Sequence, residues 1–261
     1  MDSLLSSIKD KLVNGIEVTG TGLKIIAVVT MFVDHIALGP LTNWILKNMP
    51  SMSADTYSFY YSFYHVLRAI GRMAFPIYCF LLVEGVAHTR NIRKYALRVL
   101  TVALLAEVPF DYLFYHRLFY WQHNNVLWGL LLGLICLHLY SLVEKYECSF
   151  ALKMVIMCAG MAVAHFTFLD YGEAGICCIC LMSILNGEEP GIRVIAFMAG
   201  VGALAILSST IELFAMAMVV PIGMYRGGRG RDSKFIRKFF YLFYPLHICL
   251  LILVDYYIVQ T

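Results

Sequence analysis

The segment LKIIAVVTMFVDHIALGPLTNW, residues 23–44, decides the fold because nearly all of its side chains are apolar. Its length matches the roughly 20 apolar residues that an α-helix needs to cross the hydrocarbon core of a bilayer. The whole chain has a similar composition, since 61% of its 261 residues are hydrophobic and 14% are charged. Soluble domains carry roughly 25% charged residues, and a water-soluble core could not hide so much apolar side chain. The sequence therefore predicts an integral membrane protein.

Further apolar stretches of similar length predict an all-α, polytopic protein with about nine transmembrane helices. The predicted helices are 23–44, 64–87, 95–114, 125–143, 150–167, 171–186, 192–207, 210–225 and 239–259. Pairs of turn-forming residues mark the breaks in this pattern. These pairs are Gly39-Pro40, Asn186-Gly187, Pro190-Gly191, Ser208-Ser209 and Gly227-Gly228.

Residues 1–20 differ from the rest of the chain. Apolar residues recur there at helical spacing with charged residues between them, which predicts a short amphipathic helix lying on the membrane surface. The apolar residues are Leu5, Ile8, Leu12 and Ile16. This segment does not resemble a secretory signal peptide, because Asp2 lies where a basic region would be expected.

The distribution of lysine and arginine predicts a cytoplasmic N-terminus and an external C-terminus. With this orientation, sixteen of the 20 basic residues fall on the inner side and only Lys47 and Arg117 on the outer side, while Arg68 and Arg72 lie within a span. Such a bias is typical of cytoplasmic loops. The basic excess is therefore explained by membrane topology, and nucleic-acid binding is excluded.

Eight cysteines lie almost entirely within the apolar stretches. The cluster Cys177-Cys178-x-Cys180 is surrounded by apolar residues and has no second cluster at zinc-site spacing. We interpret the cysteines as small apolar side chains of the core, and the sequence predicts no metal site.

Two adjacent polar residues, Asp34 and His35, interrupt the first predicted helix about ten residues from its inner end. At 1.5 Å per residue they lie roughly 15 Å deep, near the bilayer midplane. Ionisable groups at that depth are costly and usually mark a function or pair with each other. Because adjacent helical residues point about 100° apart, we expect the partner of His35 on another helix.

Four more charged residues lie inside the second and third predicted helices. Arg68 and Arg72 share one helix face, as do Glu107 and Asp111, because each pair is four residues apart. The two helices run antiparallel, so matching depths predict the ion pairs Arg72–Glu107 and Arg68–Asp111. A purely structural role for these pairs is an open alternative, and it does not exclude a supporting catalytic role.

The last predicted helix carries His247 about eight residues from its cytoplasmic end, which corresponds to a depth of roughly 12 Å. The first and last helices would thus bring two histidines, His35 and His247, to the central plane of the membrane. A structural role for His247 remains the alternative.

A series of motifs in one order resembles the TraX family. They are Leu23-Lys24-Ile25-Ile26-Ala27 through Asp34-His35-Ile36, Arg68-x-x-Gly71-Arg72-x-Ala74-Phe75-Pro76-Ile77, Leu82-Val83-Glu84-Gly85, His88-Thr89-Arg90-Asn91, Lys94-Tyr95-Ala96-Leu97-Arg98, Glu107-x-Pro109-Phe110-Asp111 and Phe243-Tyr244-Pro245-Leu246-His247. The match covers about residues 23–140 and 239–250, and the middle helices match only in hydrophobicity. Several motifs in one order are far more specific than any one of them.

The resemblance implies a function. The name-giving members acetylate the N-terminus of conjugative pilin, and the family looks like a relative of transmembrane acyltransferases that use cytoplasmic acetyl-CoA as acyl donor. Residues 21–261 would then form an acyltransferase domain of the bacterial plasma (inner) membrane, with membrane lipid and an acetyl acceptor as partners. The acceptor (a peptide N-terminus, a glycan or a small molecule), the choice between N- and O-acetylation and the oligomeric state stay open.

The resemblance also implies that His35 is the central catalytic residue, since a histidine of an early helix has that role in the superfamily. Acyl transfer needs a base for the acceptor's proton, and a neutral imidazole can serve at physiological pH. The further catalytic candidates are Asp34, Arg72, Glu107, Asp111 and His247.

The phosphates of acetyl-CoA would need cations at the cytoplasmic mouth. The candidates for this role are Arg90, Arg93, Arg229 and Arg231. The stretch from Arg226 to Lys238 is first of all a topology signal, but its glycines also suit a loop that wraps phosphates.

Two other functions are compatible with the same residues. In a proton-coupled transporter, the buried Asp, His, Arg and Glu side chains would form a proton relay. The inverted repeats typical of transporters are not visible, because the intramembrane charge is concentrated in the first half. An assembly subunit without activity is the third possibility.

Overall fold

The computed structural model describes residues 17–231 and 233–260. The predicted amphipathic segment therefore lies, for residues 1–16, outside the described residues. In the described part of the chain the regular structure is helical, and β-pairing is limited to two isolated bridges, Val18 with Tyr225 and Asn124 with Leu169.

The helices follow one another with short connections. In chain order they are α1 Gly20–Ile36, α2 Thr42–Asn48, α3 Ala54–Gly71, α4 Ala74–Ala87, α5 Ile92–Tyr115, α6 Val126–Val143, α7 Ser149–Phe166, α8 Gly172–Leu185, α9 Pro190–Leu207, α10 Val219–Gly223 and α11 Lys234–Gln260. A π-helical turn, Ala37–Leu41, joins α1 to α2, and 3-10 helices occupy Met49–Ser51 and Thr210–Met218.

Six helical segments of the described residues are long and apolar enough to cross a membrane. They are Gly20–Ser51, Ala54–Ala87, Val126–Val143, Ser149–Phe166, Pro190–Leu207 and Lys234–Ile258. The apolar segments Gly172–Leu185 and Thr210–Gly223 are shorter, and α5 has 24 residues but carries several charges. The prediction of an all-α membrane protein is confirmed at this level, and the count of nine spans stays a prediction.

The first helical segment does not break at Gly39-Pro40, as the turn chemistry indicated, but continues to Ser51. Pro40 has no N–H to donate to the carbonyl of Ile36, so the regular α-helical pattern cannot pass this point. The chain widens into the π-helical turn instead, and Thr42 donates through its hydroxyl to the carbonyl of Ala37 at 2.7 Å. π-Helical turns are frequent at functional sites, and this one directly follows His35.

The second helical segment begins ten residues earlier than predicted, at Ala54 rather than residue 64, and it is broken at Arg72 and Met73. The early start was missed because residues 54–63 are rich in tyrosine and serine. The break follows from Pro76, which cannot donate to the carbonyl of Arg72 four residues before it. Arg72 therefore lies at an interruption in the middle of a long helical segment.

Connections at the two ends of the bundle are tied together. Where α1 begins, the backbone N–H of Gly20 donates to the carbonyl of Gly228 at 2.8 Å, and Thr21 donates to Arg229 at 3.1 Å. At the opposite end, Asn124 donates to Phe168 at 2.9 Å, and Asp170 to Asn124 at 3.1 Å. We call the end at which α1 begins the inner end, and the opposite end, where Asn124 contacts Phe168, the outer end. The outer loops are residues 116–125 and 167–171.

The core is built around α8, which is apolar on all sides and buried for most of its length. Five cysteines are buried in it or against it, as the interpretation of cysteine as a small apolar side chain predicted. These are Cys79, Cys136, Cys177, Cys178 and Cys180, whereas Cys148, Cys158 and Cys249 are exposed.

Candidate functional site

A cavity of about 390 Å³ lies among α1, α3, α4, α5 and the outer loops. Its polar lining includes Asp34, His35, Arg68 and Arg72, four of the charged or polar residues that the sequence placed inside the predicted helices. Its apolar lining is largely aromatic. The aromatic side chains are Phe75, Tyr78, Phe110, Phe114, Tyr115 and Tyr171. The cavity extends to His123 and Asp170, so it reaches the outer end of the bundle.

His35 and His247 form a direct contact between the first and last helices. The Nδ1 atom of His35 lies 2.7 Å from Nε2 of His247, and the two rings stack with centroids 4.9 Å apart. Both side chains are buried. The prediction that the partner of His35 lies on another helix is confirmed, and that partner is His247.

The hydrogen bonds fix which ring nitrogens carry protons. Nδ1 of His247 lies 2.8 Å from the carbonyl oxygen of Phe243, which can only accept, so this nitrogen carries a proton. In the neutral ring Nε2 of His247 is then an acceptor, and Nδ1 of His35 must donate to it. Nε2 of a neutral His35 consequently has a free lone pair.

Asp34 does not bond to its neighbour His35 but pairs with two arginines. Nη1 of Arg68 lies 2.6 Å from Oδ1 of Asp34, and Nη2 of Arg72 donates to Oδ2 at 2.9 Å and to Oδ1 at 3.1 Å. The two arginines come from the end of α3, one turn apart, so they approach the carboxylate from the same helix. Asp34 is thereby fixed beside the histidine pair.

Gly71 makes this arrangement possible. A Cβ atom at this position would lie 2.1 Å from Oδ1 of Asp34, which no side chain can do. The carboxylate of Asp34 therefore packs directly against the backbone of α3, and only glycine leaves room for it.

Glu212 completes the cluster, and sequence reasoning missed it. Nη1 of Arg72 donates to Oε1 of Glu212 at 2.9 Å, and Glu212 is only 1% exposed. With Arg68 and Asp34, the cluster holds two cations and two carboxylates, so its formal charges cancel. In the sequence, Glu212 was recognisable only as a single acidic residue inside an apolar segment.

The predicted ion pairs Arg72–Glu107 and Arg68–Asp111 are wrong. Both arginines bind Asp34 instead, because α3 and α4 pack against α1 and α5 packs mainly against α6 and α11. The depth argument assumed that consecutive helices are neighbours, and here a helix from the start of the chain supplies the partner.

Glu107 and Asp111 hold the first outer loop. Oε2 of Glu107 accepts from the Trp128 indole at 2.6 Å and from the side chain of Asn125, and Oδ2 of Asp111 accepts from the backbone N–H of Tyr120 at 2.7 Å. Neither residue lines the cavity described above. Their geometry favours a loop-anchoring role over the predicted direct catalytic one.

Tyr171 adopts a left-handed backbone conformation, with φ of 59°, which is rare for a bulky residue. Its ring stacks on Phe75 with centroids 3.9 Å apart, and the guanidinium of Arg72 lies 5.6 Å from its centroid. Such outliers persist only where the surroundings impose them. Here the unusual turn places an aromatic ring between the core and the charged cluster.

The four arginines predicted to bind the donor's phosphates are exposed on segments of the inner end. They are Arg90, Arg93, Arg229 and Arg231. The backbone carbonyls of Arg229 and Arg231 accept from the Thr21 hydroxyl, each at 2.9 Å. The glycine-rich loop thus binds the start of α1 through its backbone, and both guanidinium groups remain available to anions.

Comparison with known proteins gives a consistent family assignment. The chain is 28% identical, over 249 residues, to the probable fimbrial assembly protein FimC, serogroup H1, of Dichelobacter nodosus, a match that covers 88% of this chain and 92% of that protein. No solved structure matches the chain. The family model described as TraX protein matches residues 19–255, which include the histidine pair and the whole charged cluster. The chain therefore belongs to the TraX family.

Proposed function

We propose that this protein is an integral membrane acetyltransferase that moves the acetyl group of cytoplasmic acetyl-CoA to an amine or hydroxyl acceptor. The observation that supports it most is the hydrogen-bonded chain from His35 through His247 to the carbonyl of Phe243. This chain leaves a lone pair on a histidine that lines a cavity, which is the arrangement that a general base requires.

Acetyl-CoA supplies the thioester carbonyl that the acceptor attacks. His35 takes the acceptor's proton on Nε2, and His247 orients the imidazole and shares the developing positive charge through the 2.7 Å hydrogen bond. The proton then passes from His35 to the departing sulfur, so the histidine ends neutral. The Asp34 carboxylate stays paired with Arg68 and Arg72, so its role is to hold these side chains in place beside the histidine pair.

The exposed arginines of the inner end suit a donor with several phosphates, because guanidinium groups bind phosphate well. The four arginines of this set would hold the donor on the side that the lysine and arginine bias makes cytoplasmic. The cavity reaches the outer end, so the acceptor would approach from there.

Family membership and the name of the fimbrial relative support an acceptor that belongs to a pilus or conjugation system. The membrane would then be the bacterial inner membrane. The pilin N-terminus is the acceptor that we propose to test first.

The test is acetyl transfer by purified protein in lipid vesicles, with radiolabelled acetyl-CoA and a pilin-derived membrane peptide. We expect His35→Ala to lose transfer by a factor of about 10²–10⁴, the usual contribution of a general base. His138→Ala serves as the matched control, because His138 is a helical histidine outside the cavity lining. Full transfer by His35→Ala, or no transfer by the wild type, would overturn the proposal.

A further inference from the structure

Asp170 is a carboxylate at the outer end of the cavity that the proposed mechanism does not use. It lines the cavity together with His35, Asp34, Arg68 and Arg72, and its side chain is 30% exposed. The aromatic side chains Phe75, Phe110, Tyr115 and Tyr171 line the same cavity. A partly exposed carboxylate in an aromatic-lined cavity is a combination that can bind alkylammonium groups.

The position of Asp170 is fixed by the backbone around it. Its N–H donates to the carbonyl of Asn124 at 3.1 Å, which joins the two outer loops, and its Oδ1 accepts from the N–H of Tyr171 at 3.0 Å. The left-handed conformations of Phe168 and Tyr171, with φ of 52° and 59°, flank this carboxylate. Strained residues of this kind cluster at ligand sites, and here they direct two consecutive side chains into one cavity.

The charges in the cavity differ in their availability. Asp34 is held by Arg68 and Arg72, and Arg72 is balanced further by Glu212. The cationic partner of Asp170 is weaker. Nε2 of His123 lies 3.6 Å from Oδ1 of Asp170, and the His123 side chain is 39% exposed. Within the described residues, His123 and the N–H of Tyr171 both contact Oδ1 of Asp170, which leaves Oδ2 for a ligand.

We infer that Asp170 and the aromatic rings around it form a binding site for an ammonium group of the acceptor, at the outer end of the cavity that leads to His35. This inference rests on the proposed function for the identity of the ligand as an acceptor. It adds a binding residue, a direction of entry and a charge for the group that is recognised.

His123 competes with such a ligand for Asp170. The Asp170 carboxylate beside it raises the pKa of His123, and the more distant carboxylates of Glu107 and Asp111 act in the same direction, against the opposing effect of burial. His123 is also in contact with the ring of Tyr115, which stacks on Tyr120. A protonated His123 neutralises Asp170, so an ammonium ligand should bind more tightly as the pH rises through the pKa of His123.

The test compares two probes with the same carbon skeleton, phenethylamine, which is protonated at neutral pH, and 2-phenylethanol, which is neutral. Binding to the purified full-length protein in detergent is measured by calorimetry without acetyl-CoA. We expect the wild type to prefer the cation by about tenfold or more, as a charge-assisted contact implies. Asp170→Asn should abolish this preference and leave alcohol binding unchanged, since asparagine can still accept from the N–H of Tyr171.

Two further variants sharpen the result. Asp55→Asn is the matched control, because Asp55 is an exposed carboxylate in the first turn of α3 at the outer end, and it should bind both probes as the wild type does. His123→Gln should bind phenethylamine more tightly than the wild type at about pH 5.5 and equally at about pH 8.5.

Equal affinity of the wild type for the two probes, no binding of either, or an unchanged preference in Asp170→Asn would overturn the ammonium site. The outcome is separate from that of the acetyl-transfer assay. If Asp170-dependent binding is found and no acetyl group is transferred, the site stands and the proposed function fails.

Discussion

Glu212 is a single buried carboxylate on which the position and the charge balance of the whole cluster depend. It is 1% exposed and accepts from Arg72, which in turn holds Asp34 beside His35. Removing one charged partner from a buried ion cluster leaves the opposite charge uncompensated in a low dielectric. The resulting loss of unfolding free energy exceeds the net contribution of the intact pair. The effect of a substitution here therefore depends on whether the remaining charges still cancel.

The Glu212→Gln variant should lose about 3–5 kcal/mol of unfolding free energy, because Arg72 keeps only Asp34 as a partner and the cluster gains a net positive charge. The double variant Arg72→Gln/Glu212→Gln keeps Asp34 and Arg68 as a balanced pair. We expect it to be more stable than Glu212→Gln alone and still deficient in acetyl transfer. Denaturant titration in detergent and the vesicle assay measure the two properties.

A double variant whose loss equals the sum of the two single losses would contradict the cluster, since independent sites add and coupled ones do not. Glu144→Gln is a suitable control, because Glu144 is an exposed carboxylate paired with Lys153. It should change the unfolding free energy by less than about 1 kcal/mol.

Among single residues, the sequence pointed to the two histidines and the two arginines but did not predict the ion-pair partners of the arginines. His35 and His247 were found because a histidine at midplane depth is unusual in any helix. Glu212 was not, since a single charge in an apolar segment carries no information about which helix it will face. Ion-pair partners are a property of helix packing, which the depth of each residue does not determine.

Two prolines interrupt the helices that carry His35 and Arg72, and the interruptions lie next to these two residues. Pro40 turns the chain into a π-helical turn after His35, and Pro76 interrupts the second segment at Arg72. In both places a residue of the site lies next to a backbone carbonyl that the helix cannot satisfy in the regular way. Most of the helices were predictable from hydropathy. The continuation of the first segment past Gly39-Pro40 was not, because turn residues signal a stop even where the helix continues. The early start of α3 was missed because residues 54–63 are rich in tyrosine and serine.

Replacing Pro76 by alanine should restore an N–H that can donate to the carbonyl of Arg72 and so straighten the segment Ala54–Ala87. We expect a protein at least as stable as the wild type, with acetyl transfer reduced by tenfold or more, of order 1 kcal/mol in barrier, because Arg72 would leave Asp34 and Glu212. Thermal melting and the vesicle assay measure these effects.

Pro190→Ala provides the comparison, since Pro190 occupies the first position of α9, where no helical hydrogen bond is missing. It should leave both properties close to those of the wild type. Unchanged transfer in Pro76→Ala would show that the break does not position Arg72.

At the scale of the whole molecule, the sites that we propose for the donor and for the acceptor lie toward opposite ends. Exposed arginines lie at the inner end, and the aromatic cavity reaches the outer end. The helical fold and its long apolar segments followed from composition and hydropathy, and the cytoplasmic orientation of the basic loops stays a prediction. The packing order did not, because apolar helix faces carry little information about which neighbour they will contact.

Neutralising Arg229 and Arg231 together should weaken acetyl-CoA binding, and the wild-type affinity should fall with added salt, since exposed charges are screened within a Debye length of about 8 Å at physiological ionic strength. The fold should be preserved, because both residues bind Thr21 through backbone carbonyls. Calorimetric titration of acetyl-CoA into the double variant Arg229→Gln/Arg231→Gln measures the effect.

The double variant Lys47→Gln/Arg117→Gln removes two positive charges from the outer end and should bind acetyl-CoA as the wild type does. Equal weakening in both double variants would mean that overall charge, and not the inner loop, attracts the donor.

The contact between His35 and His247 has a consequence for biosynthesis. The two residues are 212 positions apart in the chain, so the pair cannot form until the final helix has left the ribosome and entered the bilayer. A nascent chain that contains His35 but has not reached His247 carries the first histidine without its partner, and a polypeptide that ends before α11 lacks the pair altogether. Maturation of the site is thus tied to the synthesis and insertion of α11, and a stop codon between α1 and α11 yields a chain without the paired imidazoles.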